Sequence, residues 1–124
     1  RPLFGRRALV MHSKEQPDDM AALLQRHGAE VLMDTDAGID IYRQLLDRKV
    51  DVVTFTNASA VLGFLASLGA DQAADLLAHT AVATLGPAAA DAVARANVTP
   101  AIQLSAGSLA AFAEAIAAHF KPAP

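Results

Sequence analysis

The 124-residue sequence contains no cysteine, no tryptophan and only one tyrosine. The lack of cysteine excludes a disulfide framework, thiolate chemistry and any metal site built on cysteine. Charged residues make up 19% of the chain, below the roughly 25% of an average soluble domain. The net charge of −3 provides no excess of basic residues, which argues against a nucleic-acid or anionic-membrane surface.

Long apolar runs are also missing from the sequence. None approaches the roughly 20 residues that cross a bilayer, and residues 1–7 lack the apolar stretch of a signal peptide. We therefore expect a cytoplasmic protein. The sequence does not begin with methionine, which we interpret as the mark of a trimmed or engineered chain.

Hydrophobic residues nevertheless make up 53% of the chain, enough to bury a core. Short apolar runs alternate with helical patterns from one end to the other, and the third run is the richest in β-branched residues. The runs predict five strands, at Ala8–Met11, Val31–Met33, Val50–Phe55, Ala81–Leu85 and Ala101–Leu104.

A helical pattern follows each predicted strand, and Asp71–His79 indicates one short extra helix. The last helix has an apolar face that includes Phe112 and Ile116, one turn apart. Residues typical of helix starts precede these patterns: Ser13 with Gln16 at capping-box spacing, Asn57 or Ser59, Gly86 with Pro87, and Ser108.

A strand followed by a helix, repeated five times, is typical of an α/β fold with right-handed crossovers. We predict a three-layer, doubly wound, five-stranded parallel sheet of flavodoxin-like type, with strand order 2-1-3-4-5. One domain is expected over residues 1–120, with a disordered tail at 121–124.

In such a sheet, ligands bind beyond the carboxyl ends of the strands, where helix N-termini favour anions. Hydroxyl side chains recur in the sequence at this edge, and they indicate either a site for carboxylates or phosphates or ordinary helix caps. Every doubly wound fold needs such caps, so capping is the simpler interpretation. The hydroxyls belong to Ser13, Thr56, Ser59, Thr84, Ser105 and Ser108.

Three other site types fit the sequence less well. Thr54–Ser59 is similar to the phosphate loop of flavodoxins, but it follows the third strand instead of the first, and aromatic residues to hold a flavin are scarce. A receiver domain needs acidic residues after the first and third strands, where this chain has His12-Ser13 and Thr56-Asn57. The histidines show no metal-binding spacing, and three of the four fall near predicted helix C-termini. We predict no metal and no cofactor.

Several segments together resemble the uroporphyrinogen-III synthase family, in matching order and spacing. They cover most of the chain: Gly5–Val10, Lys14–Gln16, Gly28–Val31, Asp51–Val61, Leu85–Ala90 and Ser108–Phe120. The resemblance implies the flavodoxin-like fold and a place in tetrapyrrole (heme) biosynthesis.

Members of that family are two-lobed lyases that close hydroxymethylbilane, a linear tetrapyrrole, into uroporphyrinogen III with loss of water. They use no cofactor, and the substrate lies between the lobes. One lobe combines the first and last segments of the chain, with the other lobe inserted between them. By this resemblance, the present sequence is that discontinuous lobe joined directly around residues 34–40, without a counterpart of the second lobe.

The resemblance implies a substrate-binding edge but no catalytic residue. The family usually has serine in place of Asn57, a threonine where Ala88 and Ala89 stand, and Thr-Arg in place of Met11-His12. Groups that hold substrate carboxylates are thus missing. The family-matched edge comprises Ser13, Thr56, Asn57, Ser59, Gly86, Ala89 and Ser108.

We therefore predict an isolated synthase lobe, engineered or truncated, without catalysis of its own, which binds a linear tetrapyrrole weakly or not at all. One alternative is a weak or homodimeric synthase, in which a second copy replaces the missing lobe. The other is a small flavodoxin-like module that binds an anion or a flavin.

Overall fold

The computed structural model describes residues 2–11 and 19–121 of the chain. Strands and helices alternate through it nearly as the sequence predicts. The strands are β1 (Arg7–Val10), β2 (Glu30–Met33), β3 (Val52–Phe55), β4 (Ala81–Leu85) and β5 (Ile102–Leu104). The helices are α1 (Asp19–Arg26), α2 (Ile41–Leu46), α3 (Ala58–Leu68), α4 (Ala70–Leu76), α5 (Pro87–Arg95) and α6 (Leu109–Phe120).

The five strands form one parallel sheet in the order β2-β1-β3-β4-β5, which confirms the flavodoxin-like prediction. All four residues of the central strand β3 are buried, as expected for a parallel strand covered on both faces. The outer strand β2 is less buried, and its first residue, Glu30, is exposed.

Two hydrophobic clusters cover the two faces of the sheet. On one face, α1 and α6 pack through Met20, Leu24, Phe112 and Ile116. On the other, α2 to α5 pack against the sheet, and the rings of Phe55 and Phe64 meet edge to face at 5.3 Å. Alternate residues of each strand supply these clusters, because successive side chains of a strand point to opposite faces.

Local signals in the sequence set several helix boundaries. Gly69 separates α3 from α4 with a φ of 87°, a left-handed conformation that glycine adopts without strain. Pro87 occupies the first position of α5, where its missing N–H has no helical partner to lose. The predicted inner face of α6 is confirmed, since Phe112, Ala113 and Ile116 are fully buried.

Some predicted boundaries were wrong by one to three residues. The first strand covers Arg7–Val10 instead of Ala8–Met11, and the third begins at Val52 instead of Val50. The fourth helix ends at Leu76, before His79. These errors fall at element ends, where hydrophobic patterns carry least information. The predicted cap at Ser13 and most of the predicted tail lie outside the described residues.

Among residues 2–11 and 19–121, no helix is long and apolar enough to cross a membrane. Three histidines lie where the sequence predicts them, at or just beyond helix C-termini. His27 follows α1, His79 lies beyond α4, and His119 is in the last turn of α6.

Candidate functional site

The carboxyl ends of β3, β4 and β5 bring most of the predicted site residues to one edge of the sheet. Thr56, Asn57 and Ser59 follow β3, while Gly86 and Ala89 follow β4. Ser108 follows β5 and precedes α6. We call the loops after these strands, together with the loop after β2, the carboxyl edge. Ser13 belongs to the segment 12–18, which lies outside the described residues.

Asn57 is the N-cap of α3, which settles the choice that the sequence left between Asn57 and Ser59. Its side-chain oxygen accepts a hydrogen bond from the Ala60 N–H at 2.9 Å. Ser59 is exposed in the first turn of the helix, and Thr56 is half-buried beside the cap. The Asn57 side chain thus caps its own helix, whereas Ser59 is exposed to solvent.

Gly86 is the N-cap of α5 and provides no side-chain hydrogen bond, and its φ of 88° favours a residue without a Cβ. Its N–H donates to the carbonyl oxygen of Leu104 at 2.7 Å, which ties the loops after β4 and β5 together. The side chain of Ala89 is fully buried in the core, whereas that of Ala88 is exposed. A hydroxyl at position 88 would therefore be exposed to solvent, and one at position 89 would face the core.

Ser108 caps α6, as the sequence predicts. Its Oγ accepts a hydrogen bond from the Ala111 N–H at 3.1 Å. Together, Asn57 and Ser108 show that the capping interpretation holds for these two polar residues of the edge. Their role in substrate binding stays a prediction.

Two carboxylates at this edge were missed by the sequence reasoning. Asp40 caps α2 by accepting from the Arg43 N–H at 3.1 Å, and Asp36 accepts from the Met33 N–H at 2.9 Å. The aspartates of residues 34–40 have the spacing of a turn followed by a cap, which is the signal that could have found them.

The described part of the carboxyl edge is acidic. It carries Asp34, Asp36 and Asp40 in the loop after β2, and its loops contain no lysine or arginine. The helix N-termini supply partial positive charge, but the side chains oppose it.

Two buried hydroxyls lie just inside the edge without a hydrogen-bond partner in the described part of the chain. Thr54 is 1% exposed and Thr84 is fully buried, and the Oγ1 atom of each is unpaired there. The prediction that the Thr84 hydroxyl lies at the ligand edge was wrong, because Thr84 is inside β4, beside Phe55. Period-two alternation turns its side chain into the layer of α3 and α5.

Within residues 2–11 and 19–121, no group of three or more histidine, aspartate or glutamate side chains could hold a metal ion. The edge as described offers backbone N–H groups, hydroxyls and an amide, which can orient a ligand by hydrogen bonds. The carboxylates of Asp36 and Asp40 already accept from backbone N–H groups of their own loop. The arrangement therefore suits binding better than proton transfer.

Comparisons with known proteins converge on one family. The family model described as uroporphyrinogen-III synthase HemD matches residues 2–113. No curated protein matches the chain.

Two solved structures of uroporphyrinogen III synthase from Thermus thermophilus share the fold. A triple mutant of that enzyme is 21% identical, with a TM-score of 0.59, over 94% of this chain and 52% of that one. A second structure is 18% identical, with a TM-score of 0.57, over 89% of this chain and 49% of that one. The chain thus spans about half the length of the synthases that it matches.

Proposed function

This chain belongs to the uroporphyrinogen-III synthase family, and from that premise we propose that it is one lobe of such a synthase, without ring-closing activity of its own. Its carboxyl edge would form one wall of a cleft for a linear tetrapyrrole. The observation that carries the proposal is the extent of the match. The family model covers the whole sheet, yet the chain corresponds to about half of each solved synthase.

The charge at the edge supports weak substrate binding. A linear tetrapyrrole such as hydroxymethylbilane is a polycarboxylate, and the loop after β2 presents Asp34, Asp36 and Asp40 on the same side of the molecule. Like charges raise the cost of bringing the two together, and no arginine or lysine in the described loops of the edge offsets them.

The geometry supports the absence of catalysis. Ring closure requires the two ends of a long, flexible molecule to be held together in one conformation, and such positioning can account for several orders of magnitude in rate. A single wall leaves one side of the substrate in water, where it keeps its conformational freedom.

The decisive experiment supplies hydroxymethylbilane to the 124-residue chain and separates the uroporphyrin isomers after oxidation. We expect only the I isomer, at the rate of spontaneous closure in buffer. The two-lobed Thermus thermophilus synthase, run beside it, must give the III isomer to show that the assay works.

Formation of the III isomer above the no-protein control would refute the proposal. If that activity rises linearly with protein concentration, the single lobe is itself a synthase. If it rises with the square of the concentration, two copies form the active unit, as in the homodimeric alternative.

A further inference from the structure

The outer surface of α3 and α5 contains an apolar groove that the proposed function does not use. The groove has a volume of about 340 Å³ and lies on the side of the helices that faces away from the sheet. Leu62 forms one wall, and Ala88 and Ala92 lie on the other. The exposed ion pair between Asp91 and Arg95, at 3.0 Å, borders it.

Helix α3 is unusual because none of its eleven residues is charged. A helix on the surface of a soluble protein normally has a polar outer face. Here the outer face presents Leu62, which is 61% exposed, together with the exposed residues Ser59, Gly63 and Ala66. The groove and this face form one continuous surface, which we call the α3/α5 face.

We propose that the α3/α5 face binds the same face of a second copy of this chain, related by a two-fold axis, with the helices antiparallel. The register of the sheet fixes the relative height of the two helices. Phe55 of β3 pairs with Thr84 of β4, an offset of 29 residues, and both strands lead directly into these helices. Residues 29 apart in α3 and α5 are therefore at about the same level.

This offset makes the face complementary to itself. The midpoint between Leu62 and Ala66 is Phe64, and the midpoint between Asp91 and Arg95 is Val93. Positions 64 and 93 differ by the same 29 residues and therefore lie at the same level. A single two-fold axis perpendicular to the helices can cross both of them at that level. It places the large Leu62 against the partner's Ala66, and Asp91 against the partner's Arg95. Shape and charge are thus matched by a single symmetry operation, as an isologous interface requires.

The size of the face predicts a weak dimer. A helix of eleven residues is about 16 Å long, and two neighbouring helices are about 20 Å wide. Such a face buries roughly 600–1,000 Å² in total, below the roughly 1,200–2,000 Å² of a stable complex. We expect association in the micromolar range or weaker, dependent on concentration.

This dimer does not complete the substrate cleft. With the helices antiparallel, the carboxyl edges of the two copies lie at opposite ends of the assembly. Association and synthase activity are therefore independent, and the failure of one proposal leaves the other intact.

Sedimentation of the full 124-residue chain, from low micromolar to near-millimolar concentration, tests the proposal. We expect a reversible monomer–dimer equilibrium that Leu62→Glu and Ala66→Arg each weaken by about tenfold or more, because they place a charge in an apolar contact. The matched controls are Leu46→Glu on α2, which is 49% exposed, and Ala118→Arg on α6, on the opposite face of the sheet. Both controls should dimerise like the parent, and circular dichroism should show all four folded.

The absence of cysteine allows a second test, of the register itself. In an oxidised mixture of Leu62→Cys and Ala66→Cys chains, the mixed disulfide should form faster than either symmetric one, because the proposed axis places these positions opposite each other. Ala118→Cys serves as the control and should cross-link slowly. A chain that stays monomeric throughout, a dimer that only Leu46→Glu weakens, or equal cross-linking at Ala118 would overturn the proposal.

Discussion

The buried hydroxyl of Thr84 gives the most direct test of the core. Its Oγ1 atom makes no hydrogen bond within the described part of the chain, so the fold removes this group from water without replacing its partner. Valine has nearly the same shape and replaces the hydroxyl by a methyl group. Thr84→Val should therefore stabilise the protein.

The expected magnitude follows from the cost of burying an unsatisfied polar group. That cost is about 1–3 kcal/mol, and the methyl group adds some apolar burial, so we expect a gain of about 1–2 kcal/mol. An unfolding entropy of about 2.1 cal/mol/K per residue gives roughly 0.26 kcal/mol/K for 124 residues. The melting temperature should then rise by about 4–8 °C.

Thermal and urea unfolding measure this change, and Thr80→Val is the matched control. The Thr80 hydroxyl is also buried, but it donates to the carbonyl oxygen of Val50 at 3.1 Å. The same substitution there removes a hydrogen bond and should lower the free energy of unfolding by about 1 kcal/mol. The two variants thus have opposite signs. If Thr84→Val destabilises the protein as Thr80→Val does, the reasoning fails, because the hydroxyl must then be hydrogen-bonded in solution.

Three further predictions concern two glycines, the α3 cap and the carboxyl edge. Gly63→Ala should raise the free energy of unfolding by about 0.5–1 kcal/mol, since the added Cβ meets nothing within 4 Å. Gly86→Ala, at a φ of 88°, should lower it by about 1 kcal/mol or more, and calorimetry measures both changes. Asn57→Ala should cost about 1 kcal/mol in urea unfolding through loss of the α3 cap, and Asn57→Ser, which keeps a capping oxygen, much less. The double variant Asn57→Ser with Ala88→Thr restores two hydroxyls of the family pattern but should still give no III isomer in the hydroxymethylbilane assay. Substantial turnover would show that these side chains, and not a second wall, limit the activity.

The architecture was predictable because its main signals are local and repeated. Five apolar runs separated by helical patterns leave few topologies, and right-handed crossovers select the parallel order that the sheet shows. The cap at Ser108 depends on one residue, and it was identified correctly.

The details of the edge were less accessible from the sequence. The sequence predicts Thr84 inside the fourth strand, but only the burial of that strand shows that its hydroxyl lies in the core instead of at the edge. In the same way, only the packing of α5 shows that Ala89 is buried and Ala88 is exposed. The pairing of distant surface residues across the α3/α5 face depends on the offset between β3 and β4, which no local pattern contains.

The connection between β2 and α2 has a practical consequence. Residues 35–38 are all exposed, and the segment begins and ends at the carboxyl edge, between Met33 and Ile41. Exposed loops outside the core are the sites at which a foreign domain can be inserted into a protein without unfolding it. A reporter or recognition domain inserted into residues 35–38 would lie next to the ends of the strands. This loop is therefore a suitable insertion site for building new binding proteins on the same fold.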